Sequence, residues 1–276
     1  MPLFGRKDGE VVRDAPPYRQ MMPLLMRRRG DASVYFEQQI DAGPALAYLE
    51  RANAARAAGA PRLTLQHLLM HAIVETIAER PRLNRFTMGG RLYQRRGIFL
   101  SFSAKKAMND DAPVFVVKKE FQPGQSVAQI AEHTAVGVGE GRSDRPTHVD
   151  KELGFFLKFP MFILSPGVRF LMWLDSVNLL PFAFFKDDPL YASVFIANLG
   201  SIRLDAAFHH NYEWGNIPIF VTIGQTKDVP FVKGDGSVGA RKELLLRWTL
   251  DERIEDGLYC AKALELVRAR LEAPRD

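Results

Sequence analysis

Two histidines, His67 and His71, lie four positions apart, the spacing at which one helix can offer two imidazoles to a metal ion. They occur in the segment LQHLLMHAIVETIAER, whose apolar positions follow a helical period. A metalloprotease helix would carry a glutamate directly after the first histidine, but Leu68 stands there. No third ligand is evident nearby, so no metal site is predicted.

The chain has a single cysteine, Cys260, which excludes an intramolecular disulfide and a multi-cysteine metal site. Its flanks, GLYCAKAL, place it on the apolar face of a helix, where a thiol is buried and inert rather than nucleophilic. One unpaired thiol fits a reducing compartment. The N-terminal MPLFGRKDGE also lacks the apolar run of a signal peptide, so we expect a cytoplasmic protein.

The formal net charge is +5 and the pI is about 9.3, but the basic residues are scattered along the chain. Because no long basic run is interleaved with aromatic residues, no nucleic-acid partner is predicted. The densest basic group is MRRRG, Met26–Gly30. It fits either a solvated helix end or a contact with an anion such as a cofactor phosphate.

Composition and periodicity predict one compact α/β (α+β) domain. Hydrophobic residues make up 47% and charged residues 25% of the 276 positions, the balance of a globular protein. Residues 1–14 are polar and are predicted to be a flexible N-terminal tail. The patterns that follow lack the regular βαβ repetition and the Gly-rich motif of a dinucleotide-binding sheet. They favour a mixed sheet with flanking helices.

The strand and helix patterns occur in separate, well-bounded segments. Six segments have β-strand composition: SVYFEQQID, GIFLSFS, APVFVVKKE, ASVFIANLG, IPIFVTIGQT and RKELLLRWTL. Five read as helices: PPYRQMMPLLMRRRG, PALAYLERANAARAAG, LQHLLMHAIVETIAER, SVAQIAEHT and GLYCAKALELVRARLE. Ser126 and Gln129 form a capping box for the fourth helix. The Gly-rich residues 137–152 lack the lysine of a phosphate loop and are predicted to form an ordinary loop.

Residues 153–185 are markedly apolar. The run is interrupted by prolines and charges, namely Lys158, Pro160, Pro166, Arg169 and Asp175, so it lacks the about 20 consecutive apolar residues of a transmembrane helix. Three alternatives remain: the core or a subunit interface, an acyl-chain pocket, and a membrane-surface contact. Because the prolines and charges break any long amphipathic stripe, we expect burial within an assembly rather than insertion in lipid.

Four segments occur in a recognisable order: LTLQHLLMHAIVETIAERPRLN, VFIANLGSIRLDAAF, IPIFVTIGQTKDVPFVKGDG and LDERIEDG. Together they resemble the long helix, the strand with its Asn-Leu-Gly turn, the next hairpin and the Asp-His-Arg-x-x-Asp-Gly turn of the dihydrolipoyl acyltransferases of 2-oxoacid dehydrogenase complexes. The resemblance covers residues 15–272 and implies a single acyltransferase-like catalytic domain with the chloramphenicol acetyltransferase-like mixed sheet. No lipoyl domain and no subunit-binding domain are expected ahead of it.

The resemblance also implies an assembly and a mechanism. The family forms trimers, so a homotrimer or a higher multiple of three is expected, with each active site in a channel between subunits. Coenzyme A would enter from one side and the acyl acceptor from the other, with no cofactor bound covalently. In that family a histidine takes the thiol proton, and a serine hydroxyl stabilises the oxyanion of the tetrahedral intermediate.

Both of these catalytic positions are replaced in this chain. Glu252 stands where the histidine is expected and Ala197 where the serine is expected, whereas Arg253 and Asp256 retain the other two residues of the turn. An ordinary glutamate, with a pKa of about 4.3, is a weak base toward a thiol, although burial would raise that pKa. We retain Glu252 and Asp256 as candidate catalytic residues, and we predict a divergent or inactive site.

A displaced base could replace the missing histidine. His209 and His210, in AFHHNYEWG, belong to a segment that approaches the intersubunit channel in the resembled fold, so both are candidate bases; a structural or interface role is the alternative. Asn198 begins the retained Asn-Leu-Gly turn. Thr222 resembles a threonine that supports oxyanion binding in chloramphenicol acetyltransferase. Asn198 and Thr222 are therefore candidates for binding the cofactor in the channel.

Three functions are therefore carried forward. The first is a divergent or inactive acyltransferase-fold protein whose main role is to form a trimeric or cage-like assembly. The second is a coenzyme A-dependent acyltransferase that uses His209 or His210 as its base, with a small or lipid-like acceptor. The third is a membrane-surface protein attached through residues 153–185.

Overall fold

The computed structural model of the protein describes residues 5–107, 109–143, 154 and 158–275. The strands in these residues are β1 (Gly9–Val11), β2 (Ser33–Asp41), β3 (Arg85–Met88), β4 (Arg91–Arg95), β5 (Ile98–Lys105), β6 (Val114–Phe121), β7 (Val194–Asn198), β8 (Ile219–Val232) and β9 (Val238–Asp251). The helices are α1 (Pro17–Leu25), α2 (Gly43–Ala54), α3 (Leu65–Glu79), α4 (Val127–Arg142), α5 (Met161–Ser176), α6 (Phe182–Phe185) and α7 (Gly257–Glu272).

Six strands form the main sheet in the order β2-β9-β8-β7-β5-β6. Strand β7 is parallel to both of its neighbours, β5 and β8, and the remaining pairs are antiparallel. Helices α2, α3, α4 and α7 pack together on one face of this sheet. The predicted α/β architecture, a mixed sheet with flanking helices in one domain, is confirmed.

The main core lies between this sheet and the four helices. Helix α3 is the most deeply buried of them, and its buried side chains are Leu68, Leu69, Met70, Ala72, Ile73, Val74, Thr76 and Ile77. Strand β9 meets the core through alternate residues, Leu244, Leu246, Trp248 and Leu250. Because side chains alternate along a strand, the residues between them point to the opposite face of the sheet. That second face carries the candidate site.

Residues 5–14, expected to belong to a flexible tail, are instead packed against the rest of the chain. Strand β1 pairs with β4 in a second, three-stranded sheet of order β1-β4-β3. Arg6 is only 7% exposed, and its guanidinium binds Asp8 at 2.8 Å and Asp175 at 2.6 Å. The sequence does not reveal this arrangement, because each of the three residues is charged and charged residues normally face solvent.

The capping box of α4 is confirmed. The Ser126 hydroxyl accepts a hydrogen bond from the Gln129 N–H, and the Gln129 side-chain oxygen accepts one from the Ser126 N–H. Both bonds satisfy amide groups that the first turn of a helix leaves unpaired.

Helix α4 continues farther than its sequence suggested. Residues 137–142 form its last turns, so the loop expected over 137–152 is wrong for this part. Close packing explains why glycines are tolerated here: a Cβ at Gly141 would lie 2.1 Å from the Phe115 ring. The remainder of that loop prediction, residues 144–152, lies outside the described residues.

The apolar segment is not buried in the core of one chain. Phe162 of α5 is 77% exposed, and Phe170 and Trp173 are also exposed. The alternative of a core segment is therefore wrong for this helix, whereas Leu180 and Phe185, farther along, do pack in a small apolar cluster. Nowhere in the described part of the chain is there a helix long and apolar enough to cross a membrane.

Candidate active site

A row of four side-chain positions crosses the sheet face opposite the main core. Ala197 on β7 and Thr222 on β8 are register partners on adjacent parallel strands. Thr222 in turn pairs with Arg247 on β9, and Arg247 pairs with Glu37 on β2. The last two form an ion pair at 2.9 Å. The position expected to supply a serine hydroxyl therefore presents a methyl group, and the nearest hydroxyl in the row belongs to Thr222.

The segment that carries both candidate histidines lies against this row. Three strand side chains donate hydrogen bonds to its carbonyl oxygens: Arg247 to Ala206, Thr222 to Ala207, and Thr249 to His209. Because these donors stand on paired strands, they fix the path of the segment over the sheet. The Thr222 hydrogen, directed to the Ala207 carbonyl at 2.6 Å, is thereby committed to a structural bond.

His209 has the arrangement of a neutral, oriented base. Its ring stacks on Phe220 with 3.9 Å between ring centroids and 5° between the planes. Its Nδ1 lies 2.7 Å from the His210 carbonyl oxygen, which can only accept, so Nδ1 carries the hydrogen and Nε2 keeps a lone pair. Burial lowers the pKa of His209 below its usual value, although the bond to the His210 carbonyl opposes that shift. The direction of this pKa shift favours the neutral imidazole.

His210 is more exposed than its neighbour, and the two rings stack with centroids 5.0 Å apart. The next residue, Asn211, is buried, yet neither its side-chain oxygen nor its nitrogen meets a hydrogen-bond partner within the described residues. An unpaired buried amide costs free energy.

Glu252 lies in the turn after β9, and its side chain is exposed. The main chain is well fixed there: its N–H donates to the Ala32 carbonyl at 2.8 Å, and its carbonyl oxygen accepts from Arg19. Within the described ranges no cation pairs with its carboxylate.

The other two residues of this turn have structural partners. Asp256 is the N-cap of α7, accepts the Tyr259 N–H at 2.8 Å, and has a pKa lowered mainly by that bond. Arg253 is buried and binds both carboxylate oxygens of Asp251, at 2.8 and 2.7 Å. The sequence analysis did not identify Asp251 as the partner of Arg253. The available signal was an acid and a base two positions apart at the end of a strand.

Strand register separates the two replaced catalytic positions within one chain. Arg247 lies in the same row as Ala197, two strands away, and Glu252 follows Arg247 by five positions. At about 3.3 Å per residue and about 4.8 Å between strands, Glu252 and Ala197 are roughly 15 to 20 Å apart. The His209 ring stacks on Phe220, which lies two positions before Thr222 on β8. Along the strand direction His209 is therefore within about 7 Å of the row.

Asn198 opens onto a cleft of about 920 Å³ at the end of β7. Its side-chain nitrogen donates to Gln66 at 3.0 Å, and its oxygen accepts the Ser201 N–H at 3.1 Å. The glycine of the retained turn is required by packing, because a Cβ at Gly200 would lie 2.5 Å from the Gly224 carbonyl oxygen. Two arginines, Arg62 and Arg203, and one acid, Glu50, also line this cleft. Thr222 does not line it.

The basic group Met26–Gly30 divides between two environments. Arg29 is buried, so a solvated helix end is wrong for this residue: its Nη1 donates to the Ile217 carbonyl at 2.7 Å, and burial lowers its pKa. Arg27 is exposed and lines a second cavity, of about 460 Å³, with Thr87 and Glu213. Contact of this group with an anion stays a prediction.

Three candidate residues remain: His67, His71 and Cys260. His67 and His71 are not joined by a third ligand, and nowhere in the described residues do three His, Cys, Asp or Glu side chains gather as a metal group. Burial lowers the pKa of His67 to about 4. The Cys260 thiol is buried, as predicted, and its pKa is raised to about 12 by that burial.

Comparison with known proteins identifies the fold. No family model and no curated protein matches the chain. A probable dihydrolipoamide acetyltransferase from Listeria monocytogenes matches with a TM-score of 0.64 at 16% identity, over 92% of this chain and 89% of that one. The cubic core of the pyruvate dehydrogenase multienzyme complex matches with a TM-score of 0.62 at 16% identity, over 95% and 91%.

A chloramphenicol acetyltransferase also matches, with a TM-score of 0.56 at 11% identity, over 96% of this chain and 98% of that one. The chain therefore has the fold of the dihydrolipoamide acetyltransferase catalytic cores and of chloramphenicol acetyltransferase. The resemblance predicted from four sequence segments is confirmed at the level of fold.

Proposed function

We propose that this protein is a divergent acyltransferase-fold protein that assembles in multiples of three and has lost the catalytic route of the proteins it resembles. The observation that carries the proposal is the Ala197–Thr222 pair. A methyl group occupies the expected serine position, and the neighbouring hydroxyl donates its hydrogen to a carbonyl of the same chain. Removing one oxyanion donor typically costs about 100- to 1,000-fold in rate.

The exposed carboxylate of Glu252 supports the same conclusion. In general a carboxylate attracts a thiol proton less strongly than an imidazole does. Loss of general-base help costs about 100- to 10,000-fold. A negative charge beside a developing oxyanion would also oppose the reaction.

Assembly in threes is supported by the fold, and the register argument supports a site shared between copies. One of the matched structures is the cubic core of a multienzyme complex. Because Glu252 and Ala197 are roughly 15 to 20 Å apart in one chain, any site that uses both positions must combine two copies. A cytoplasmic location is part of this proposal, and the single, buried, unpaired cysteine supports it.

A coenzyme A thioester is the ligand we propose for the cleft beside Asn198. With about 920 Å³ it is large enough for a cofactor, and Arg62 and Arg203 on its lining suit the phosphate groups of coenzyme A. Binding there does not require catalysis. A protein that keeps the scaffold while losing the chemistry can retain this affinity.

A second candidate function is acyl transfer with His209 as the base. Its lowered pKa favours the neutral ring, its Nδ1–H is held by the His210 carbonyl, and no described residue forms a hydrogen bond to its Nε2, an arrangement suited to accepting a thiol proton. The acceptor in this case would be a small or lipid-like molecule.

Two measurements on the purified chain test the proposal. Analytical ultracentrifugation should give three times the 31.1 kDa of one chain, or a multiple of that mass. Acetyl transfer between acetyl-CoA and dihydrolipoamide should not exceed the uncatalysed rate, for the wild type or for Glu252→Gln. A monomer or simple dimer would refute the assembly, and rapid transfer that Glu252→Gln abolishes would refute the lost catalytic route.

A further inference from the structure

The first turns of α5 carry large apolar side chains around most of the helix. Met161, Phe162 and Ile163 occupy successive positions, which are separated by about 100° around a helix, and all three are exposed. Phe170 and Trp173 continue this surface at 57% and 54% exposure. We call these five residues the α5 apolar surface. Contiguous exposed patches of this kind mark interaction sites rather than ordinary protein surface.

Within residues 158–185, which carry the α5 apolar surface, the exposed charges are positive. In residues 158–185 the exposed charged side chains are Lys158 and Arg169, and the only acid, Asp175, is buried against Arg6. A further exposed cation, Lys7, lies 6.0 Å from the centre of the Phe182 ring. The lysine that follows the segment, Lys186, is offset by Asp187 at 3.7 Å. The surface therefore complements a partner that is apolar and anionic.

The C-terminal end of α5 is fixed to the small sheet, so its exposed turns are held in place. Asp175 binds Arg6, and the next turn is held by a hydrogen bond of 3.1 Å from Asn178 to the Tyr93 hydroxyl. The β3–β4 hairpin touches the helix end so closely that a Cβ at Gly89 would lie 1.8 Å from the Ser176 carbonyl oxygen. Pre-organised surfaces bind with a smaller entropic cost.

We propose that the α5 apolar surface docks this protein on a membrane surface that contains anionic lipids. The helix does not cross the bilayer; its aromatic and aliphatic side chains enter the boundary between headgroups and acyl chains. Phenylalanine and tryptophan are the side chains favoured at that depth. Arg169 and Lys158 extend their charged ends to lipid phosphates while their aliphatic stems lie along apolar surface.

A second copy of the chain fits this surface less well than lipid. A two-fold symmetric contact between copies would bring Arg169 of each into an apolar interface in which residues 158–185 supply no free carboxylate. Burying unpaired charges is costly. A fluid headgroup region, whose lipid phosphates pair with the arginine, avoids this difficulty.

Flotation of the full-length protein with liposomes tests the proposal. Vesicles of phosphatidylcholine alone are compared with vesicles that also contain phosphatidylglycerol, at low and at raised salt. Wild-type protein is expected to float with the anionic vesicles and to do so less as salt rises. The triple variant Phe162→Ser/Phe170→Ser/Trp173→Ser should bind at least about tenfold less, and Arg169→Glu should weaken binding to the anionic vesicles only.

A matched control replaces exposed apolar residues elsewhere. Val232→Ser/Val238→Ser/Leu258→Ser alters side chains of about 70% exposure far from α5 in the chain and should float like the wild type. Sedimentation of every variant without lipid checks the assembly. Wild-type protein that does not float, or a triple variant that floats unchanged, overturns the proposal. A triple variant that falls apart without lipid also overturns it and assigns the surface to a contact between copies.

Discussion

Arg6 and Asp175 form a buried ion pair, with 2.6 Å between Nη1 and Oδ1, although 169 positions separate them in the chain. Each partner has a second contact: Asp8 binds the other nitrogens of Arg6, and the Tyr191 hydroxyl donates to Asp175 at 2.8 Å. The pair therefore joins the N-terminal strand to the end of the apolar helix.

Removing the cation of this pair should destabilise the protein strongly. Arg6→Met leaves Asp8 and Asp175 without their shared partner, and breaking a buried ion pair typically costs about 3 to 5 kcal/mol. The measurement is the free energy of unfolding in urea. Arg96→Met is the control, because its pair with Glu10 is exposed and should change stability by about 1 kcal/mol or less. Equal losses in the two variants would contradict the role assigned to Arg6.

Restoring the two replaced side chains should create acyl-transfer activity. Ala197→Ser supplies a hydroxyl and Glu252→His supplies an imidazole, and the site needs both, from different copies of the chain. The double variant is expected to transfer acetyl groups between acetyl-CoA and dihydrolipoamide at least about 100-fold faster than either single variant. A double variant no faster than wild type, with its assembly intact, would show that other parts of the channel have also diverged.

Acyl transfer that depends on His209 would have a characteristic pH dependence. The neutral imidazole is the active form, and burial lowers its pKa below the usual value of about 6.5. With an accepted acyl-CoA, kcat/KM should be level around neutral pH and fall only as pH drops through the lowered pKa. His209→Gln should abolish turnover, and His210→Gln should retain most of it. Turnover that survives His209→Gln would remove His209 from the mechanism.

Coenzyme A affinity should depend on the basic lining of the cleft beside Asn198. Arg62→Glu combined with Arg203→Glu reverses two charges there and should weaken binding by about tenfold or more. Arg28→Glu combined with Arg142→Glu reverses two exposed charges that do not line this cleft, so it controls for net charge. Isothermal titration calorimetry with coenzyme A measures both. Equal affinities in the two variants would place the ligand elsewhere.

Local patterns predicted most of the sheet and the central helices. The alternation in RKELLLRWTL and the periodic stripe of α3 reflect burial on one face, which a sequence records directly. The end of α4 was missed because Gly141 normally disfavours a helix, and only its packing against Phe115 explains it. The sequence likewise did not show that Phe162 is exposed, since apolar composition does not say which partner covers a residue.

The sequence named candidate site residues but not their geometry. The motif order placed Ala197 and Glu252 at the two expected positions, and their types are the basis of the proposal that the resembled chemistry is lost. The position of His209 depends on a hydrogen bond from Thr249, 40 positions away, which no local pattern contains. Helix capping by Asp256 was, by contrast, readable from an acid directly before a helical segment.

The pairing of β2 with β9 has a consequence during synthesis. The ion pair between Glu37 and Arg247 joins residues 210 positions apart, and every residue of β2 has its register partner in the last strand of the sheet. During synthesis on the ribosome, β2 therefore remains unpaired until about 200 further residues have been made. Its free backbone groups are open to wrong partners throughout that time. We expect folding to be slow and the newly made chain to depend on chaperones, because contacts between distant residues delay folding.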